Sequence, residues 1–210
     1  MIRVLTVVWL WLFLCCSFVS TASQTAENSS STTTYTADGQ LVFPANYREW
    51  IYLSSGIDMS YFQQGMAGHS MFDTVFVNPE AYKAFLQTGT WPDKTMLVLE
   101  VRGAGSDASI NKSGHFQTTE LMGREVHVKD ESRFPGKWAF FGFDDKETAK
   151  MVPKEAACYS CHEHHGAVDT TFVQFYPTLI DIAKQKGTLS AAYVKEEAAA
   201  SERKNSKPSH

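Results

Sequence analysis

The chain has 210 residues, of which 43% are hydrophobic and 13% are aromatic. This share of apolar side chains is enough for a packed core, so the composition excludes a wholly disordered protein. The formal net charge of −4 leaves no excess of basic residues to neutralise phosphates, so nucleic acid is not an expected partner.

The first residues have the pattern of a secretory signal peptide. Arg3 precedes an apolar run over residues 4–14, and small and polar residues follow at 20–23. The alternative is a membrane anchor that is retained, but the run is shorter than the ~20 residues that a membrane-spanning helix needs. We therefore expect residues 1–22 to be cleaved and the protein to be exported, for example into a periplasm.

Beyond this segment the composition divides the chain into three parts. Residues 23–37 are rich in serine and threonine and are expected to form a flexible leader. A single folded domain is predicted over residues 38–187. Residues 188–210 are predicted to form a terminal helix, from Ser190 to Ala200, and a polar tail.

Strand signals dominate the first part of the predicted domain. Runs of β-branched and aromatic residues predict five strands, at 50–53, 72–77, 95–101, 125–129 and 138–143. One helix is inserted after the second of these strands. Asn78 is a suitable N-terminal cap, Pro79 fits the first turn, and Gly89 can end the helix. A break is expected at residues 103–107, where turn-forming residues cluster.

The pattern becomes helical after Pro153. Apolar residues recur at helical spacing from Phe172 to Ala183, and Gly187 interrupts them. The predicted fold class is therefore α+β: a mostly antiparallel β-sheet with one inserted helix, followed by C-terminal helices. These C-terminal helices carry the motif described next.

Residues 158–162 read Cys-Tyr-Ser-Cys-His, a C-x-x-C-H sequence that is the attachment signal of c-type haem. In such a motif the two thiols, here Cys158 and Cys161, add to the vinyl groups of the haem. The adjacent His162 then binds the iron. The sequence predicts one covalently attached haem c, with Cys158 and Cys161 as cofactor-binding residues and His162 as the ligand of the iron.

Three other interpretations of the cysteine pair remain open. A redox-active disulfide usually lies in a thioredoxin-like βαβ context, which the strand pattern does not show. A structural zinc site with His162, His164 or His165 would need four ligands, and no second cysteine pair remains once the signal peptide is removed. The third interpretation is a plain structural disulfide.

The second axial ligand of the iron is less evident. Electron-carrier cytochromes commonly use a methionine, usually one well after the haem motif, and no methionine follows His162. His69, with Met71 nearby, precedes a predicted strand and is a candidate sixth ligand. The late position of the motif argues against the usual helical carrier fold, and the strands before it argue against a four-helix bundle.

An ordered set of segments resembles the cytochrome P-460 family, which includes the β-type cytochromes c′. The resemblance covers residues 37–186. Its matching segments are 44–50, 77–82, 88–89, 128–130, 138–140, the C-x-x-C-H motif, Asp169, Phe172 and 175–177. The haem motif alone is generic, whereas the ordered set is specific.

The resemblance implies an antiparallel β-sheet domain with helices, usually as a homodimer. It also implies a haem with His162 on one face and an open or loosely capped iron on the other. Members of the family either oxidise hydroxylamine or bind nitric oxide and similar small ligands.

The hydroxylamine-oxidising members carry a lysine cross-linked to the haem ring. Aligned on residues 88–101, that position is Leu99 in this chain. Lys94 lies five residues earlier, where a strand would direct it to the other face. Leucine cannot form the cross-link, so Leu99 is expected beside the haem as part of an apolar wall. A distal arginine of those members aligns near Asp73, which is the candidate catalytic residue, as a proton acceptor.

The apolar wall follows from strand alternation. Leu97, Leu99 and Val101 are expected to share one strand face, with Val75 and Val77 as neighbours. An apolar wall excludes water and suits a small neutral ligand. The alternatives are that Leu99 is an ordinary core residue and that Asp73 is a solvated or hydrogen-bonded group.

Other polar residues have expected roles that the sequence does not resolve. The candidate partners of the haem propionates are Arg48, Arg102, Arg124 and Arg133. Positions on the sheet surface are expected for His115 and His127, whereas His164 and His165 are expected to be exposed or near a propionate. Tyr176 is expected in the core beside the proximal face of the haem.

These observations favour an exported monohaem c-type cytochrome with an open iron site. It would bind, and with a redox partner protein convert, small nitrogen-oxide ligands such as nitric oxide. One alternative is an oxidoreductase that oxidises hydroxylamine without the lysine cross-link, with Asp73 as the polar group. The other is a simple periplasmic electron carrier in which His69 or a methionine caps the iron.

Overall fold

The computed structural model of the chain describes residues 32–60 and 70–206. The predicted signal peptide, most of the predicted leader and His69 lie outside the described residues. The strands are β1 (Leu41–Val42), β2 (Ile51–Ile57), β3 (Met71–Val77), β4 (Met96–Gly105), β5 (Phe116–Lys129), β6 (Trp138–Gly142) and β7 (Thr148–Ala149). The helices are α1 (Pro79–Thr88), α2 (Ala157–His165), α3 (Ile180–Lys186) and α4 (Ala191–Asn205).

A five-stranded antiparallel sheet with the order β2-β3-β4-β5-β6 forms the centre of the domain. Each strand therefore pairs with its neighbour in the sequence, and α1 is inserted between β3 and β4. The short strands β1 and β7 pair in a second sheet. The predicted fold class, an antiparallel sheet with one inserted helix and C-terminal helices, is confirmed.

Both faces of the main sheet are covered, because successive side chains of a strand point to opposite faces. Val98 and Val126 are fully buried in a cluster on one face, together with Trp50 and Phe141. Leu97 belongs to a cluster on the other face, which includes residues of α1 and of the segment after β7. The candidate site lies on this second face.

Helix α1 begins and ends where the sequence predicts, but Asn78 does not cap it. Pro79 occupies the first turn, and Gly89 ends the helix in the left-handed conformation with φ 75°. The Asn78 side chain makes no capping hydrogen bond. Its Oδ1 instead accepts a hydrogen bond of 2.8 Å from the backbone N–H of Met96. This bond ties the start of the helix to the start of β4.

The hairpin formed by β4 and β5 is longer than predicted. β4 continues through Gly103 to Gly105, and β5 begins at Phe116 rather than near residue 125. The outer part of β5 is largely exposed, so it lacks the apolar alternation that marks a half-buried strand. Glycines in β4 suit this pairing because side chains of β5 lie where a Cβ at Gly103 or Gly105 would be.

The described end of the predicted leader contacts the domain. Tyr35 forms a β-bridge with Leu41. The Tyr35 ring lies edge-on to Phe134, with centroids 6.4 Å apart, and the Arg133 guanidinium lies 3.8 Å from its centroid.

The predicted terminal helix is present as α4 and extends to Asn205, beyond the expected end at Ala200. The Ser190 hydroxyl caps it by accepting a hydrogen bond from the backbone N–H of Tyr193. No helix among the described residues has the length and hydropathy of a membrane span.

Candidate haem site

A cavity of about 480 Å³ lies between the main sheet and the segment that follows β7. On the sheet side its lining includes Ser54, Asp73, Val75, Leu97, Leu99, Glu125 and His127. On the other side its lining includes Cys158, Cys161, His162, Phe172, Phe175 and Tyr176. The volume is within the range of roughly 300–1,000 Å³ that is typical of ligand and cofactor sites.

The structure brings all five sequence-predicted site residues to this one cavity. Cys158, Cys161 and His162 reach it from α2, Leu99 from β4 and Asp73 from β3. Leu99 lies at least 59 residues before the cysteines in the sequence, and Asp73 lies at least 85 residues before them. These side chains therefore come together only because the sheet packs on the segment that contains α2.

Helix α2 presents the motif to the cavity. Residues three and four apart lie on the same face of a helix, so Cys158 shares its face with Cys161 and His162. Both thiols are free rather than joined in a disulfide. The helix ends at His165, three residues after the motif, and the backbone N–H of Gly166 donates to the His162 carbonyl.

The His162 ring is held among aromatic groups and by one backbone carbonyl. Its Nδ1 lies 2.8 Å from the Thr170 carbonyl oxygen. A carbonyl only accepts, so Nδ1 carries the proton and Nε2 is left for a metal. The ring centroid is 4.2 Å from that of Phe172, 4.7 Å from that of Phe140 and 4.9 Å from that of His127.

Burial keeps the His162 imidazole neutral. It lowers the pKa of His162 to about 4, and the nearby His127 acts in the same direction. The hydrogen bond to Thr170 and the Glu125 carboxylate oppose this shift without cancelling it. A neutral imidazole is the form that binds a metal.

These residues fit a haem c. Two free thiols and one imidazole with an available Nε2 line a largely apolar cavity, which is the donor set that covalent attachment and iron ligation require. The zinc interpretation finds no support in the described ranges 32–60 and 70–206, where no cluster of three or more His, Cys, Asp or Glu residues could hold a metal ion.

The predicted apolar wall is present, but fewer residues form it than expected. Val75, Leu97 and Leu99 line the cavity. Val77 is instead fully buried in the core beside it, and Val101 is not part of the lining. The pairing of β4 with β5 is irregular directly after Val101, so the regular strand face ends there.

Two carboxylates, those of Asp73 and Glu125, also line the cavity, and their pKa values shift in opposite directions. Burial raises the pKa of Asp73 from 3.8 to about 6, and the charges of Glu125 and Asp58 add to the shift. The Glu125 carboxylate lies 3.6 Å from Nε2 of His127. This imidazole lowers the pKa of Glu125 against the opposing effect of burial.

The raised pKa of Asp73 predicts a pH-dependent stability that Asp73→Asn removes. The folded state retains this proton to a higher pH than the unfolded state, so the stabilisation is complete below 3.8 and is lost as pH rises through about 6. We expect wild type to lose stability relative to Asp73→Asn between about pH 4 and pH 7. Urea unfolding of the haem-loaded proteins at several pH values measures this difference.

The control for this experiment is Asp107→Asn. Asp107 is exposed between β4 and β5 and has φ 54°, a conformation that asparagine also tolerates. Asp107→Asn makes the same chemical change at an exposed position, so its unfolding curves control for the loss of one carboxylate. An Asp73→Asn protein whose stability parallels wild type throughout would contradict the raised pKa.

The prediction that His127 lies on the sheet surface is wrong. His127 faces the cavity, opposite Leu97 on the neighbouring strand. Its ring centroid is 4.2 Å from that of Phe140. Strand alternation could have revealed this: Val126 and Val128 are fully buried on the other face, so the odd-numbered residues 125–129 must face the cavity side.

Met59 is a further residue whose position the sequence did not indicate. It lines the cavity just after β2, and its side chain lies where a Cβ at Gly56 would be. Nothing in its local sequence signals this position, because the approach depends on how the end of β2 packs.

The four arginines proposed as propionate partners do not line the cavity. Arg48 and Arg102 both pair with Glu100, which is buried on the other face of the sheet. Arg124 donates to the backbone carbonyls of Asp144 and Lys146, and Arg133 lies against Tyr35.

The other predicted placements agree with the structure. His115 and His164 are exposed, and His165 pairs with Glu196 at 2.9 Å on the surface. Lys94, by contrast, lies before β4 and so outside the strand in which its direction was predicted; it pairs with Asp130 at 2.5 Å. Tyr176 is buried in the core and also borders the cavity.

Comparison with known families agrees with this site. The family model described as Cytochrome P460 matches residues 44–173, which include all five strands of the main sheet and the C-x-x-C-H motif. The chain belongs to the cytochrome P460 family. No match was found among curated proteins. Membership of the cytochrome P460 family implies haem c and iron, and a site for small nitrogen-containing ligands.

Proposed function

We propose that this cytochrome P460 family member is an exported monohaem c-type cytochrome that binds small nitrogen-oxide ligands, above all nitric oxide. One observation carries the proposal. A single cavity is lined by the two free thiols and the His162 imidazole of a C-x-x-C-H motif on one side and by a sheet face that includes Val75, Leu97 and Leu99 on the other.

The motif residues have separate roles in this proposal. Cys158 and Cys161 anchor the haem through thioether bonds, which keep the cofactor in an exported protein. Nε2 of His162 binds the iron, while the Thr170 carbonyl fixes the tautomer and orientation of the ring. The iron supplies a coordination position at which a small ligand binds.

The apolar residues of the sheet face favour a neutral ligand over water. Val75, Leu97 and Leu99 offer no hydrogen bond to water, so a water molecule beside them loses hydrogen-bonding energy. Nitric oxide is small and neutral and does not incur this loss. Leu99 occupies the position at which the resemblance places a cross-linking lysine, which supports an unmodified haem ring.

Because Leu99 is part of this apolar wall, we expect Leu99→Asn to weaken nitric oxide binding. An amide of similar size would hold water in the cavity, and the ligand would then have to displace a hydrogen-bonded molecule. One hydrogen bond of about 1 kcal/mol corresponds to roughly fivefold weaker affinity. Titration of the ferrous protein with nitric oxide, followed by absorption, measures the change.

Leu121→Asn is the matched control for this substitution. Leu121 lies on β5 and is 38% exposed, outside the cavity lining, so the same change there should leave nitric oxide affinity as in wild type. Equal affinities for Leu99→Asn and wild type would show that the wall does not control ligand binding.

Hydroxylamine oxidation is the second candidate function, and the two cavity carboxylates favour it. A proton acceptor works best with a pKa near the working pH, and the pKa of Asp73 at about 6 meets this condition. Glu125 lies in the same lining. Steady-state oxidation of hydroxylamine with an added electron acceptor tests this function, and Asp73→Asn should then lower kcat. Absence of turnover alongside prompt nitric oxide binding would leave the ligand-binding function alone.

Simple electron transfer is the third candidate. Met59 supports it, since its thioether borders the cavity and thioethers are axial ligands in many electron-carrier cytochromes. A capped iron would not bind nitric oxide promptly, so the titration above separates this function from the first.

Export, pairing into a homodimer and a redox partner protein complete the proposal. Export rests on the signal-peptide pattern of residues 1–22, and the homodimer rests on the family resemblance. N-terminal sequencing of the secreted protein and its mass in solution test these two points.

A further inference from the structure

We propose that Lys129 and Asp169 form an ion pair that positions the iron-binding imidazole of His162. The pair acts through the turn 168–171, whose Thr170 carbonyl accepts the Nδ1 proton of His162. This inference rests on the proposed function to the extent that it takes His162 as the iron ligand.

The turn has a backbone conformation that its residues do not favour. Asp169 has φ 52° and Thr170 has φ 62°. Aspartate tolerates positive φ better than most residues, but for a β-branched residue such as threonine it is an outlier. Such a conformation persists only when the surrounding structure imposes it.

Lys129 is the main group that imposes it from the sheet. Its ammonium donates to the Asp169 carboxylate and, at 2.6 Å, to the Trp91 carbonyl. The Lys129 side chain is only 7% exposed. An ammonium so far from water needs polar partners. Asp169 is its close acidic partner, whereas the Glu131 carboxylate lies farther away at 3.9 Å, so the pair holds the Asp169 side chain in place.

The rest of the turn is held by Thr171. The Trp91 indole N–H donates to the Thr171 hydroxyl at 2.8 Å, and this hydroxyl donates to the Val168 carbonyl at 2.7 Å. Val168 and Thr171 also form an antiparallel bridge. Thr170 therefore lies between two fixed neighbours, with its carbonyl directed at His162.

The direction of this carbonyl affects the chemistry of the imidazole. A hydrogen bond from Nδ1–H to an oxygen makes the ligand more basic and fixes the ring orientation. A more basic ligand donates more strongly through Nε2 and favours ferric over ferrous iron. Weakening the Lys129–Asp169 pair should release the turn, lengthen the Nδ1–Thr170 bond and reverse these effects.

Asp169→Asn is the primary test, because it keeps the size of the side chain and removes its charge. Resonance Raman of the ferrous, haem-loaded protein should show the iron–histidine stretch at a lower frequency than in wild type. The reduction potential should shift to a more positive value. Lys129→Met should produce shifts in the same directions, whereas Lys129→Arg keeps the charge and should leave both values close to those of wild type.

Lys94→Met is the matched control. It also removes a lysine–aspartate pair, with Asp130, beside the same strand end, but it does not touch the turn. The iron–histidine stretch and the reduction potential should both stay at their wild-type values. In the double variant Lys129→Met/Asp169→Asn the shifts should equal those of one single variant, because both residues act through one contact.

A purely structural pair gives a different result. The variants would then lose stability while the stretch frequency and potential stay unchanged, and this outcome overturns the proposal. If Lys129→Met does not fold, Asp169→Asn and Lys129→Arg decide the question. Failure of the proposed function is distinguishable, since wild type itself would then lack an iron–histidine stretch.

Discussion

Replacing both cysteines of the motif, Cys158→Ala with Cys161→Ala, is expected to abolish covalent haem attachment. No other cysteine occurs in the chain beyond residue 16, so no other thiol remains if residues 1–22 are removed as proposed. Haem stain on a denaturing gel and the mass of the intact polypeptide should both show a loss to background. The variant should also be less stable, because a bound cofactor stabilises the folded state.

Ser160→Ala is the control within the same motif. Ser160 is exposed on α2, and its hydroxyl donates only to the nearby Ala157 carbonyl. This variant should retain a full complement of covalent haem. Haem that stays attached to the double cysteine variant after denaturation would show that the attachment uses other residues.

Gly166→Ala is expected to have the second large effect, by forcing α2 away from the turn 168–171. A Cβ at this position would lie 2.6 Å from the His162 carbonyl oxygen and 2.7 Å from the carbonyl carbon of Thr170. Both atoms belong to the backbone and cannot rotate away. We expect a loss of about 1–3 kcal/mol in the free energy of unfolding, as in other overpacked sites. Urea unfolding of the haem-loaded protein measures this loss.

The resonance Raman spectrum of Gly166→Ala should also change, because the displaced turn contains the Thr170 carbonyl that bonds to His162. The iron–histidine stretch of Gly166→Ala should change together with its stability. Gly142→Ala provides the comparison, since nothing lies within 4 Å of a Cβ at Gly142. Its effect should stay within about 0.5 kcal/mol. A Gly166→Ala protein as stable as wild type would contradict the close approach at this position.

The sheet and α1 were predictable because their signals are local. Each predicted strand overlaps an observed strand, and Pro79 and Gly89 mark the ends of α1 as expected. The outer part of β5 was missed because it is largely exposed. Asn78 was misassigned because its oxygen bonds to Met96, a contact between separate segments that a capping preference does not encode.

The motif predicted one side of the site, and the resemblance predicted part of the other. Cys158, Cys161 and His162 follow from their spacing, while Leu99 came from alignment. Strand alternation is enough to place His127 on the cavity side, because Val126 and Val128 are buried on the other face.

The turn that supports His162 could not be predicted. Its conformation combines positive φ at Asp169 and Thr170 with a lysine 40 residues earlier in the chain. No local pattern of residues indicates such a turn, because packing against β5 imposes it.

The open, unmodified iron site is tested by the absorption spectrum of the purified, haem-loaded protein, oxidised and reduced, with and without nitric oxide. We expect an ordinary c-type ferrous Soret band, high-spin iron and prompt nitric oxide binding. A strongly red-shifted ferrous band would show a modified haem and contradict the role given to Leu99. A low-spin spectrum that nitric oxide leaves unchanged would show a capped iron and contradict the open site.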